Sequence, residues 1–148
     1  MKFYLDGSDG KKWSLEDFKG QYLVLYFYPK DNTPGCSMQA VDFTELKDEF
    51  EKLNAKVVGV SRQGLKSHEN FINKKDLDIL LLSDPKEDAH RSFDVMKNKK
   101  LYGKTFLGVE RSTFLFDPEG ELIKEYRKVK AKGHAQMVLD DLKEIQGK

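Results

Sequence analysis

The chain has 148 residues, 34% charged and 39% hydrophobic, which is the length and balance of one globular domain able to bury a core without staples. A formal charge of +1, from 26 Lys and Arg against 25 Asp and Glu, gives no basis for binding nucleic acid or an anionic membrane. No apolar run approaches the ~20 residues of a spanning helix, no signal-peptide pattern opens the chain, and a single cysteine offers neither an internal disulfide nor a metal cluster. These exclusions lead to the expectation of a cytoplasmic protein without metal or cofactor.

Met1 to Leu5 leans apolar, and Asp6-Gly7-Ser8-Asp9-Gly10 is a dense turn signal, which predicts a hairpin with a brief return strand at Lys11 to Trp13. Ser14 suits the cap of a single helical turn ahead of Gly20. Tyr22 to Phe27 is apolar without alternation, the pattern of a central strand covered on both faces. Pro29 cannot donate to a ladder and should end it. Thr33 suits an N-cap, Pro34 the first helical position, and Gly35 leaves room for close backbone approach. After Cys36, the positions Met38, Val41, Leu46, Phe50 and Leu53 recur at helical spacing and predict one long helix.

Ala55 to Ser61 reads as a second buried strand, Ser67 to Lys74 as a surface helix, and Leu77 to Leu82 as a third strand stopped by Ser83-Asp84-Pro85. Glu87 to Val95 is expected to be helical, and the basic stretch Lys97 to Gly108 a loop. Ser112 to Phe116 and Glu121 to Arg127 flank the turn Asp117-Pro118-Glu119-Gly120 as a hairpin, and Ala135 to Ile145 closes the chain as an amphipathic helix. The expected fold class is therefore α/β, with one domain over 1–148 whose central mixed sheet carries helices on both faces, a thioredoxin-like pattern. No long exposed apolar strand is expected, so nothing in the pattern argues against a monomer.

Cys36 falls in the first turn of its helix, where unpaired amides and the helix dipole favour a thiolate over a thiol. Thr33, one turn away, supplies a hydroxyl for an anion or an incoming oxygen. The competing reading is a small buried hydrophobe, the usual place of a lone cysteine. Displacement by a thiolate develops negative charge on the group that leaves and calls for a fixed cation. Arg111, at the mouth of the strand Ser112 to Phe116, is the best candidate, set against a solvated edge arginine. Pro29 is expected to shield the site. Gln39, one turn after Cys36, offers a minor polar role, and Tyr28 either a hydroxyl at the rim or a core aromatic. His68, His90 and His134 are scattered and read as surface histidines. Lys97, Lys99, Lys100 and Lys104, with Tyr102 and Phe106 between them, suggest a solvated loop or a docking surface for a reductant.

Pro29, Thr33 and Cys36 stand as the P-x-x-x-T-x-x-C pattern, and Phe27 to Cys36 (FYPKDNTPGC) resembles the bacterioferritin comigratory protein, or Q-type, branch of the peroxiredoxins. Gly108-x-x-Arg111-Ser112-Thr113-Phe114 is similar to the segment that carries the family's catalytic arginine. The resemblance implies a thioredoxin-like fold and a thiol peroxidase for hydrogen peroxide and organic hydroperoxides, and it leans towards a monomer. In it Cys36 is the peroxidatic residue, with Thr33, Arg111 and Pro29 completing the site. It also implies a longer N-terminal segment than this chain has, of which Phe3 and Leu5 look like the remnant. Many members of the branch carry a resolving cysteine five places after the first, but Val41 occupies that position here and no other cysteine exists. A sulfenic acid at Cys36 then waits for an outside thiol: thioredoxin first by resemblance, with glutaredoxin or glutathione as the other donors. A protein-disulfide reductase is disfavoured by the missing Cys-x-x-Cys pair. A non-catalytic thioredoxin-fold sensor or interaction module remains the alternative.

Overall fold

The computed structural model describes residues 1–147. Strands β1 (Tyr4–Gly7) and β2 (Lys12–Ser14) form the expected hairpin, followed by a single 3-10 turn over Leu15–Phe18. The Ser14 amide and hydroxyl both donate to the Asp17 carboxylate, at 2.8 and 3.1 Å, which fixes the start of that turn. Then come β3 (Tyr22–Phe27), α1 (Pro34–Glu45), α2 (Lys47–Lys52), β4 (Ala55–Ser61), α3 (Leu65–Lys75), β5 (Leu80–Ser83) and α4 (Asp88–Ser92). The chain continues through β6 (Met96–Leu101), β7 (Lys104–Val109), β8 (Ser112–Phe116), β9 (Leu122–Tyr126) and α5 (His134–Gln146).

Seven strands form one mixed sheet in the order β2-β1-β5-β4-β3-β8-β9. β3 lies at its interior, parallel to β4 and antiparallel to β8. Its side chains alternate between two buried faces, which is why its sequence shows no polar alternation. Val24 and Tyr26 join Phe43, Phe50, Phe71, Val138 and Leu142 from α1, α2, α3 and α5. Leu23, Leu25 and Phe27 join Phe18, Phe93, Phe114 and Phe116 on the other side. The α/β sheet with helices on both faces is thus the observed architecture.

Four expectations are corrected. The long helix after Cys36 is bent rather than continuous: Leu46 turns to ψ 3° between α1 and α2, while the Leu46 and Phe50 amides keep their i−4 bonds to Asp42 and Leu46. Residues 97–108 are not a loop. They form most of a two-stranded hairpin, β6 with β7, closed by Tyr102 and Gly103 at φ 51° and 76°, the left-handed pair that a two-residue hairpin turn requires. The hairpin stands apart from the main sheet and leaves Leu101, Tyr102, Phe106 and Leu107 exposed, contrary to the expected absence of such a strand. All three histidines are buried instead of at the surface, because each finds a polar partner in the core.

Candidate active site

The register between β3 and β8 sets Phe27 opposite Ser112. The segment leaving β3, residues 28–33, therefore runs beside the segment entering β8, which carries Arg111. Beyond the loop, Thr33 is extended at φ −90° and ψ 153°, and Pro34 opens α1. Thr33 occupies the N-cap position but does not cap with its side chain; its hydroxyl donates to the Lys30 carbonyl at 2.9 Å and tightens the loop instead.

Cys36 is 1% exposed, on the side of α1 that faces the sheet. Arg111 reaches it across the register, with Nη2 3.3 Å from Sγ, and its Nη1 donates to Gln39 Oε1 at 2.5 Å. Gln39 is fully buried, so the guanidinium is held between a neutral acceptor and the sulfur rather than neutralised by a carboxylate. The arginine is half-buried and turned inward, not solvated at the strand edge. Gly35 makes this approach possible: a Cβ there would lie 3.3 Å from Arg111 Nη2. Gly35→Ala is accordingly expected to leave stability unchanged or raise it by up to ~1 kcal/mol, since alanine is the better helix former. It should nonetheless slow oxidation of Cys36 by displacing the guanidinium; thermal unfolding and thiol-loss kinetics read the two effects separately.

Pro29 and Arg111 both line an open cavity of about 390 Å³. The Val129 amide donates to the Arg111 carbonyl at 2.9 Å, which brings the basic segment 128–132 alongside the site. Tyr26 is fully buried, and its hydroxyl has no hydrogen-bond partner among the described residues. Burial first, and then the negative charge of a Cys36 thiolate, push the Tyr26 hydroxyl well above its ordinary range despite the opposing Arg111, so it stays a neutral phenol.

The loop is pinned by a cluster that no local pattern announced. Tyr28 OH donates to Asp31 Oδ1 at 2.6 Å, and Ser67 Oγ donates to Oδ2 at 2.7 Å. His68 Nδ1 meets the same Oδ2 at 2.8 Å, while its Nε2 donates to the Leu82 carbonyl at 2.9 Å. Burial opposes the Asp31 charge, but hydrogen bonds from His68, Tyr28 and Ser67 outweigh it and hold the carboxyl below its usual range. Tyr28 is thus both a buried aromatic and a buried donor. His134 contacts Thr113 Oγ1 at 2.8 Å and does not touch the sulfur. Burial, then the Arg111 charge, lower its pKa to about 4, which keeps it neutral. Among the described residues no group of three or more His, Cys, Asp or Glu is arranged to hold a metal.

A buried thiol at the head of a helix, beside a guanidinium and within a mixed sheet covered on both faces, defines a thiol enzyme of thioredoxin-like fold. The family model described as AhpC/TSA family matches residues 1–125. Peroxiredoxin Bcp of Xanthomonas campestris is 51% identical over 92% of this chain and 85% of its own length. Peroxiredoxin Bcp of Bacillus subtilis is 48% identical over 97% and 92%. A solved structure of the Xanthomonas campestris bacterioferritin comigratory protein, studied for alkyl peroxide reduction, superposes with a TM-score of 0.91 at 49% identity, covering 95% of this chain and 90% of that one. The chain belongs to the AhpC/TSA family and, within it, to the bacterioferritin comigratory protein branch of the peroxiredoxins. It is a thiol-dependent peroxidase that lacks a resolving cysteine.

Proposed function

We propose that Cys36 is the peroxidatic nucleophile, that Arg111 and Thr33 orient the thiolate and the peroxide, and that Pro29 encloses them. The contact between Arg111 Nη2 and Cys36 Sγ at 3.3 Å carries this reading. The thiolate attacks one peroxide oxygen, the O–O bond breaks, and the other oxygen leaves with the bonding pair and takes up a proton. Cys36 becomes a sulfenic acid and the peroxide becomes water or an alcohol. A fixed guanidinium stabilises charge at both ends of this displacement without reorganising. The Thr33 hydroxyl shapes the loop through Lys30 and lies one turn from the sulfur, a place from which it can serve the incoming oxygen.

No helix among the described residues is long and apolar enough to cross a membrane. The reaction takes place in the cytoplasm, on hydrogen peroxide and small organic hydroperoxides. With one cysteine in the chain, an external thiol completes the cycle. Stopped-flow oxidation of the reduced protein by hydrogen peroxide tests the assignment. Rapid second-order loss of one thiol, absent in Cys36→Ser, with sustained turnover once a thiol donor is supplied, is the expected result. A slow reaction without turnover would instead mark a redox sensor.

A further inference from the structure

We propose that the cavity beside Arg111 binds the reducing thiol, and that this thiol is a small molecule carrying carboxylates, of the glutathione class. The proposal rests on the reading of Cys36 as the nucleophile and names what reacts with it next. The cavity of about 390 Å³ lies in the size range of small-ligand sites and is lined by Pro29, Lys97, Lys99, Glu110, Arg111 and Lys128. Arg111 is the wall it shares with Cys36, since the same guanidinium lies 3.3 Å from Sγ.

The charge of this rim is out of keeping with a chain whose formal net charge is +1. Glu110 is its one carboxylate, and Arg127 Nη1 stands 3.7 Å from it. Lys97 pairs with Asp94 at 2.9 Å. Lys99 and Lys128 have no ion pair among the described residues, so two ammonium groups beside the site are left without a counter-charge. Their placement is built into the fold. The Lys99 stem runs over Gly108, where a Cβ would lie 3.0 Å from Lys99 Cδ. Lys128 adopts φ 49°, the left-handed region, between Arg127, which donates to the Phe93 and Asp94 carbonyls, and Val129, which donates to Arg111. Hydrogen peroxide is uncharged and gains nothing from these lysines. A thiol with two carboxylates does.

The step balances with that thiol alone. Its thiolate sulfur attacks the sulfenic sulfur of Cys36, an S–S bond forms, and the S–O bond breaks. The departing hydroxide takes the proton that the thiol gave up and leaves as water. A second thiolate then attacks the ligand's sulfur in the mixed disulfide, releasing Cys36 as a thiolate and the reductant as its symmetrical disulfide. Two thiols are oxidised for each peroxide reduced.

The test separates the two steps. The reduced protein is first oxidised with one equivalent of hydrogen peroxide; failure to consume the thiol would count against the Cys36 reading, not against the cavity. The sulfenic acid is then resolved with glutathione, neutral mercaptoethanol or cationic cysteamine at equal thiolate concentration. Glutathione should be faster than mercaptoethanol by about tenfold, as expected for two partly exposed charge pairs acting together, and cysteamine slowest. Lys99→Ala and Lys128→Ala should each reduce the glutathione rate by about two- to fivefold and leave the mercaptoethanol rate and the peroxide step unchanged. High salt should erode the same advantage. Equal rates for the three thiols, lysine variants that change nothing, or resolution achieved only by a protein dithiol such as thioredoxin would each overturn the proposal.

Discussion

Arg111→Ala should slow the oxidation of Cys36 by hydrogen peroxide by about 10²–10³-fold, the usual effect of removing one preorganised donor from developing negative charge. The guanidinium does two things at once that no other group in the site does. Its Nη2 faces the sulfur at 3.3 Å, and its Nη1 is anchored on Gln39 at 2.5 Å. Arg111→Lys keeps a positive charge but cannot hold both contacts from one ammonium, so it should recover only part of the loss. Stopped-flow thiol loss under excess peroxide measures both variants directly. An alanine variant within a fewfold of the parent would remove the guanidinium from the mechanism. A variant that oxidises slowly yet is resolved at the parent rate would place its whole effect on the peroxide step.

The largest stability effect is expected at Asp31. Its side chain and that of His68 are 1% and 0% exposed, and removing one partner of such a pair strands the other, at a cost of about 3–5 kcal/mol. Asp31→Ala also unties Tyr28 and Ser67, so the loop carrying Pro29 and Thr33 loses its anchor to α3. Denaturant unfolding measures the loss, and hydrogen exchange over residues 28–36 should rise more than at β4. The pH profile follows from the same contacts. The Asp31 carboxyl lies below its usual range when folded, so its stabilisation is whole above the ordinary value of 3.8 and is lost as pH falls through the folded value. His134 acts earlier on the same side. Its folded pKa of about 4 lies below 6.5, so the unfolded chain takes up the proton first, and stability declines as pH drops from 6.5 towards 4. Asp31→Ala should therefore be most destabilising near neutrality and approach the parent in strong acid. A gap that stays constant down to low pH would mean that the carboxylate charge is not what holds the loop.

What local pattern alone determines about the site is what lies within ten residues of Cys36. Arg111, 75 positions on, is reached through its place at the mouth of β8 and the resemblance of residues 108–114 to the family's arginine segment. An apolar run, a proline that stops it, and Thr-Pro-Gly ahead of an amphipathic pattern are local instructions, and they place the cysteine at a helix start whatever the rest of the chain does. The return hairpin over Asp117 to Gly120 and the terminal helix were legible for the same reason. The hairpin of β6 and β7 was not, because lysines and an asparagine fill β6 where alternating apolar residues would have announced a strand. The Tyr102-Gly103 turn was the one signal that could have found it. His68 was equally hidden. Its partner Asp31 lies 37 positions away, and no spacing on a helix or strand links the two.

The place of Cys36 at a helix start, the strands that lead to and from it and the absence of a second cysteine thus belong to the sequence alone, since they depend on residue type and on neighbours along the chain. The reach of Arg111 to a sulfur 75 positions away, the latch of Asp31 on α3 and the gathering of Lys99 and Lys128 around one cavity were decided only by the tertiary structure. Each depends on the register of β3 against β8, or on the packing of elements that sequence distance keeps apart. Pairing across a sheet and packing through a core are properties of the folded whole, and no short stretch of residues carries them.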